Sequence, residues 1–98
     1  MRAARKRLEW SVKADQDVIA ILRYYGEHAP PSIVDQVVKA LHSAATRLTT
    51  RDSIYRTGPH HTRECIMRRF PFIIVYRSTS TRVNIVRVLH QARSYFNR

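Results

Sequence analysis

The chain has 98 residues, of which 44% are hydrophobic, and its 18 Lys and Arg outnumber 7 Asp and Glu to give a formal net charge of +11. This composition excludes a disordered chain, and the length accommodates one domain spanning residues 1–98. The single cysteine, Cys65, excludes a disulfide within the chain and favours a reducing compartment.

The positive charge is concentrated in the second half of the chain. Residues 1–50 contain eight basic and five acidic residues, whereas residues 51–98 contain ten basic and two acidic ones. Most of the basic residues are arginines, whose planar donor groups match carboxylates and phosphates. The second half is therefore expected to face an anionic partner, either nucleic acid or an acidic protein segment.

Nothing in the sequence indicates a membrane protein or a secreted one. No apolar run reaches the length of a membrane span. The segment Met1–Arg7 is basic but no apolar region follows it, as a secretory signal would require. We predict a cytoplasmic protein without membrane contact, in which residues 1–7 form a flexible basic arm.

The first half predicts a short strand followed by two helices. Leu8, Trp10 and Val12 alternate with polar residues, a period of two that indicates a strand with one buried face. The next segment has apolar residues at helical spacing, preceded by acidic residues that suit a first helical turn, and Gly26 with the Pro30–Pro31 pair is expected to end it.

The second helix is predicted to follow the two prolines directly. Ser32 resembles an N-cap, with Asp35 three residues later as in a capping box. Helical spacing of apolar residues continues to about Leu48. Residues 49–62 break the pattern and are predicted to be loop.

The remaining chain predicts three strands. The first contains Cys65–Met67, the second contains Phe70 and Phe72–Tyr76 with a bend at Pro71, and the third contains Val83–Leu89. Because only four residues connect the last two strands, they are expected to form an antiparallel hairpin.

The resulting order β-α-α-β-β-β predicts an α+β fold with a helical hairpin on one face of a small, mostly antiparallel sheet. The last two strands are apolar on both faces, and two helices can cover only one. We therefore expect the other face to be partly exposed or covered by another molecule.

Three short motifs lie in the last third of the chain: Thr62-Arg63-Glu64, Ile74-Val75-Tyr76-Arg77, and the stretch from Val83 to Arg93 containing Arg-Val-Leu-His. They resemble motifs of the ParE/RelE toxin superfamily, most closely its ParE branch. The first half agrees more loosely, through Ala14-Asp15-Gln16-Asp17 and the pair Tyr24–Tyr25.

The resemblance implies the toxin of a type II toxin–antitoxin system. It implies two partners: DNA gyrase, trapped with its DNA cleaved, and a cognate antitoxin whose acidic or amphipathic C-terminal segment wraps the toxin. It favours an inhibitor that is not an enzyme and requires no cofactor. The arginines expected to contact the target or the antitoxin are Arg63, Arg68, Arg69, Arg77, Arg87 and Arg93.

The RelE branch offers an alternative, a ribosome-dependent endoribonuclease that cleaves mRNA. Such chemistry needs a base, a proton donor and cations around the phosphate. The candidates are Glu64, Arg87, His90 and Tyr95. The absence of lysine from residues 49–62 argues against this branch. A third alternative is a nucleic-acid-binding module without catalytic activity, which is supported by the charge alone.

Several of these residues also have structural interpretations. Arg87, in an apolar strand, is expected to be paired, and a pair with Glu64 across the sheet is as plausible as a functional role. A hydrogen-bonded structural histidine is the more common interpretation of His90. The spacing of His60, His61 and Cys65 does not suit a metal site, and none is predicted.

Overall fold

The computed structural model describes residues 5–51, 56–57 and 61–91. The elements are β1 (Arg7–Trp10), α1 (Val12–His28), α2 (Pro31–Arg51), β2 (Arg56–Thr57), β3 (Arg63–Ile66), β4 (Phe72–Ser78) and β5 (Arg82–His90). The five strands form one sheet in the order β1-β5-β4-β3-β2. The predicted α+β order is confirmed, with one additional short strand, β2, in the segment predicted to be loop.

The sheet is mixed. Strand β1 pairs with β5 in parallel, from Arg7 opposite Arg82 to Trp10 opposite Ile85. The other three pairings are antiparallel, including the predicted hairpin of β4 and β5. In that hairpin Val75 lies opposite Arg87 and Tyr76 opposite Ile85, so Val86 is an extra residue in β5 and forms a bulge.

The two helices cover one face of the sheet. Their buried residues, such as Val37 and Leu48, join one hydrophobic cluster with alternate residues of β4, namely Phe72, Ile74 and Tyr76. These residues lie on one face because side chains alternate along a strand. The large buried surface of this cluster is the main stabilising contribution to the fold.

The opposite face of the sheet is less exposed to solvent than the sequence predicted. Ile73 and Val75 point away from the helices, yet they are only 1% and 7% exposed. The expectation of an uncovered face is therefore wrong at these two positions, because the chain itself buries them. Ile66, opposite Ile73, is 42% exposed.

The start of α1 differs from the prediction. Val12, predicted to continue β1, is the first residue of the helix and is 74% exposed. The reason is local: the Ser11 hydroxyl accepts a hydrogen bond from the Ala14 amide at 3.0 Å and so caps the helix. At the other end Gly26 lies within α1, which continues to His28.

The start of α2 also differs. Ser32 is not the N-cap, because α2 begins at Pro31 and the Pro30 carbonyl accepts from the Ile33 and Val34 amides. Proline suits the first helical position because its φ is already helical and its missing N–H is not needed there. The helix ends at Arg51, three residues beyond the predicted Leu48.

Lys6 and Arg7, which were predicted to belong to a flexible arm of residues 1–7, are hydrogen-bonded to the rest of the fold. The Lys6 amide donates to the Thr49 carbonyl at 3.3 Å, and its Nζ donates to Ser78 Oγ at 2.8 Å. Arg7 already belongs to β1. The first four residues lie outside the described part of the chain.

The predicted strand boundaries shift by a few residues in the C-terminal third. Strand β3 runs from Arg63 to Ile66 and so contains Cys65 and Ile66 as predicted, but it ends before Met67. Strand β4 begins only at Phe72, after the bend at Phe70 and Pro71. Proline lacks the amide that a strand ladder requires, so the ladder starts beyond it.

Candidate functional site

The N-terminal part of α1 is hydrogen-bonded to the outer edge of β5. Strand β1 pairs with β5 only as far as Ile85. The backbone N–H and C=O groups on the next part of that edge therefore need other hydrogen-bond partners. The Ser11 amide donates to the Ile85 carbonyl at 2.9 Å, and the Ser11 hydroxyl donates to the Val86 carbonyl at 2.8 Å. The Val88 amide donates to Asp17 Oδ2 at 2.9 Å. Helix and strand are therefore fixed relative to each other.

Asp17 also holds Arg87 in a bidentate pair. Arg87 Nε donates to Oδ2 at 2.7 Å and Nη2 donates to Oδ1 at 3.1 Å. The Asp17 side chain is 15% exposed and that of Arg87 is 37% exposed. The hydrogen bond to Asp17 raises the pKa of the Arg87 guanidinium above its ordinary value.

This pair corrects one interpretation made from the sequence. Arg87 is paired with Asp17 of α1, not with Glu64 across the sheet. In the sequence, Asp17 is notable only as an acidic residue at the start of the first helix and as part of the Ala14-Asp15-Gln16-Asp17 motif. A charge in an apolar strand needs a partner, and on this ground the sequence indicated that Arg87 is paired. No local pattern identified that partner as Asp17, which lies 70 positions away.

An elongated groove of ≈ 680 Å³ runs along the junction of α1 and β5. The Asp17–Arg87 pair lies on its wall, and most of the remaining lining is aromatic or apolar, including Ala20, Tyr24, Tyr25, Phe72 and His90. We call this the α1–β5 groove. Its composition suits a peptide side chain or an amphipathic segment better than a small charged metabolite.

The aromatic rings of this region contact one another. Tyr25 meets Phe72 edge-on with ring centroids 6.1 Å apart, and Phe72 meets His90 at 6.0 Å. Tyr24 is 57% exposed and stacks on His28 at 4.3 Å. Such contacts orient the rings and form a preorganised apolar wall.

The predicted contact arginines lie at separate parts of the sheet. Arg68 and Arg69 are exposed in the connection between β3 and β4. Arg69 donates to the Gln36 side chain, and its guanidinium lies 5.5 Å from the centre of the Phe70 ring. Arg63 and Arg77 lie towards the other end of the sheet, near the β4–β5 turn. Arg93 lies outside the described residues.

Among the candidate nuclease residues, Glu64 and Arg87 lie on either side of Val75 on one face of the sheet, whereas the proposed base and the proposed acid are separated. Glu64 lies opposite Val75 and is 3% exposed, so it is buried on the face away from the helices. His90 lies opposite Phe72, on the helix-covered face. The proposed base and the proposed acid therefore lie on opposite faces of the sheet. Tyr95 lies outside the described residues.

A protein-family model described as "ParE toxin of type II toxin-antitoxin system, parDE" matches residues 8–95. This match covers most of the chain, including both helices and every strand. The chain belongs to the ParE toxin family.

Solved structures similar to this ParE-family chain have low sequence identity and show the shared fold alone. The chromosomal ParDE toxin–antitoxin system of P. aeruginosa aligns at 21% identity over 88% of this chain and 96% of that one, with a TM-score of 0.76. The RelBE2 complex of Mycobacterium tuberculosis aligns at 22% over 93% and 97%, with a TM-score of 0.59. The DinJ–YafQ complex of E. coli aligns at 14% over 92% and 97%, with a TM-score of 0.55. No curated protein sequence matches significantly.

Two further observations concern the described part of this ParE-family chain. Within residues 5–51, 56–57 and 61–91, no three His, Cys, Asp or Glu side chains are grouped as metal ligands would be. In the same ranges, neither helix is long and apolar enough to cross a bilayer. His61 is exposed and Cys65 is buried, whereas His60 lies outside these ranges.

Proposed function

We propose that this ParE-family toxin inhibits DNA gyrase through protein contacts in the cytoplasm, and that a cognate antitoxin with an acidic or amphipathic C-terminal segment silences it. Family membership over residues 8–95 carries this proposal. The similarity to a solved ParDE toxin–antitoxin system supports the same fold.

The arrangement of the candidate nuclease residues favours inhibition by contact over catalysis. General acid–base chemistry requires donor and acceptor within hydrogen-bonding reach of one substrate. Glu64 and His90 lie on opposite faces of the sheet, and two donors of Arg87 are engaged by Asp17. Glu64 and Arg87 both lie opposite Val75 and so share a face of the sheet, but no candidate proton donor among the described residues lies on that face.

The gyrase proposal is tested by a supercoiling assay with the purified chain, gyrase, ATP and relaxed plasmid. We expect loss of supercoiling and accumulation of linear plasmid after detergent and protease treatment. Relaxation of the same plasmid by a type I topoisomerase serves as the control and should be unaffected. Full supercoiling in the presence of excess folded toxin would contradict the proposal, and cleavage of mRNA in a translation extract would favour the RelE-type alternative.

The α1–β5 groove is the surface best suited to the antitoxin segment. It combines an aromatic wall with a strand edge that, beyond Trp10, has no strand beside it among the described residues. An amphipathic segment could place apolar side chains against this wall. The net charge of +11 would attract its acidic residues.

A bulky residue in the groove tests this assignment. Ala20 is exposed and lines the groove, so Ala20→Trp should obstruct it without altering the core. Ser43→Trp, at an exposed position of α2, is the matched control. We expect Ala20→Trp to weaken antitoxin binding at least about tenfold, equivalent to about 1.4 kcal/mol, as measured by calorimetry. Equal affinities for the two variants would place the antitoxin elsewhere.

A further inference from the structure

A second surface lies at the start of β5, whereas the α1–β5 groove extends to His90 at the end of that strand. This second surface is basic and polar. Arg5, Arg7, Thr81 and Arg82 line a shallow cleft of ≈ 570 Å³, which we call the basic cleft. All four residues are exposed. Among the described residues, no apolar side chain contributes to its lining, and in this it differs from the α1–β5 groove.

Two arginines of the basic cleft occupy neighbouring strand positions. Arg7 of β1 lies directly opposite Arg82 of β5, about 4.8 Å away across the sheet. Like charges in this arrangement repel each other and destabilise the pairing. Glu9 compensates in part, since its carboxylate lies 3.8 Å from Arg82. This end of the sheet still carries more positive than negative charge, as an anion-binding surface would.

Hydrogen bonds hold the backbone of the basic cleft, so the positions that carry its arginines are fixed relative to one another. The Arg7 amide donates to the Thr81 carbonyl at 2.9 Å, which joins β1 to the turn between β4 and β5. Within the turn, the Thr79 amide donates to the Arg82 carbonyl at 2.8 Å and the Arg82 amide donates to Thr79 Oγ1 at 3.0 Å. A fixed backbone lowers the entropic cost of binding.

We propose that the basic cleft binds the phosphate backbone of double-stranded DNA. Arginine donor groups and a threonine hydroxyl are the side chains that contact phosphates without reading sequence. A phosphate backbone needs no apolar side chain to bind, whereas an amphipathic protein segment does, and the described residues that line the cleft are three arginines and a threonine. The choice of duplex DNA rests on the proposed function, because DNA gyrase acts on duplex DNA.

The experiment measures binding of the full chain to a fluorescent duplex of arbitrary sequence by anisotropy, without gyrase, from 50 to 200 mM salt. Three arginine–phosphate contacts give a slope of log affinity against log salt of about −2.7, which is about a 40-fold loss over this range. Arg7→Ala with Arg82→Ala should reduce the slope to about −0.9. Arg23→Ala with Arg47→Ala removes equal charge from exposed positions of α1 and α2, and we expect it to leave the slope unchanged.

A second pair of variants, at Thr81, tests the inference even if the double variant does not fold. Thr81→Glu adds a negative charge to the cleft but leaves the strand residues intact, and it should weaken DNA binding relative to Thr81→Gln. Equal slopes for the two double variants, or equal affinities for the two Thr81 variants, would overturn the inference. Loss of affinity for an acidic antitoxin peptide with unchanged DNA binding would also overturn it.

The gyrase assay separates this inference from the proposed function. DNA binding through the cleft without gyrase inhibition would refute only the proposed target. Gyrase inhibition without cleft-dependent DNA binding would refute only the inference.

Discussion

Removal of the Asp17 carboxylate is expected to be the most destabilising single change at the α1–β5 junction. Asp17→Ala removes two hydrogen bonds to Arg87 and one to the Val88 amide. Hydrogen bonds to charged groups contribute about 1.5–3 kcal/mol each when buried, and an orphaned buried amide costs about 1–3 kcal/mol. Arg87 is 37% exposed, so water recovers part of the loss. We expect a loss of about 2–4 kcal/mol in the free energy of unfolding.

Chemical and thermal denaturation monitored by circular dichroism measure this loss. For a domain of this size it corresponds to a fall in Tm of about 8–30 °C. Asp17→Asn keeps an acceptor for the Val88 amide and should lose roughly half as much. Asp35→Ala removes an exposed i,i+4 pair with Lys39 and should cost less than about 0.5 kcal/mol. If Asp17→Ala costs no more than Asp35→Ala, the assigned role of the junction is wrong.

Three further changes test other parts of the fold by the same denaturation measurements. Ser11→Ala should cost about 1–2 kcal/mol, because the hydroxyl both caps α1 through Ala14 and donates to the Val86 carbonyl; an unchanged Tm would show that neither bond matters. Leu48→Ala should cost about 2–5 kcal/mol, since Leu48 is fully buried; a loss below about 1 kcal/mol would contradict its place in the core. Gly26→Ala should stabilise by about 0.5–1 kcal/mol, because Gly26 lies within α1 and an added Cβ meets no atom within 4 Å; a lower Tm would refute this.

The Asp17–Arg87 pair affects how functional substitutions are interpreted. Arg87→Ala would remove a candidate contact arginine and also leave the Asp17 carboxylate without its partner. Loss of toxicity in that variant would therefore not by itself identify a contact with gyrase or antitoxin. Arg68→Ala changes an exposed residue outside the helices and strands, so its effect on toxicity is easier to assign.

The order of elements was predictable because it depends on local patterns. Helical spacing of apolar residues identified α1 and α2, and consecutive apolar residues identified β4 and β5. The four-residue connector predicted their antiparallel pairing. Apart from the missed strand β2, the errors in the elements fell at boundaries, where Ser11 and Pro31 decided helix starts that periodicity alone could not locate.

The sites were predictable only as residue types. The sequence indicated that the arginines would face an anion and that Arg87 needed a partner. It did not indicate which residues would meet, because Asp17 and Arg87 are 70 positions apart and Arg7 and Arg82 are 75 apart.

The amino-acid sequence by itself determined the charge, the helices and most strands of this protein, since each follows from the composition or from neighbours within a few positions. Only the tertiary structure decided that β1 pairs in parallel with β5 at the edge of the sheet. This pairing places Arg7 opposite Arg82 and the start of α1 against the edge of β5. It also decided that Glu64 and His90 lie on opposite faces of the sheet. The physical reason is that strand order and register depend on packing between segments that are distant in the chain, and no local periodicity encodes them.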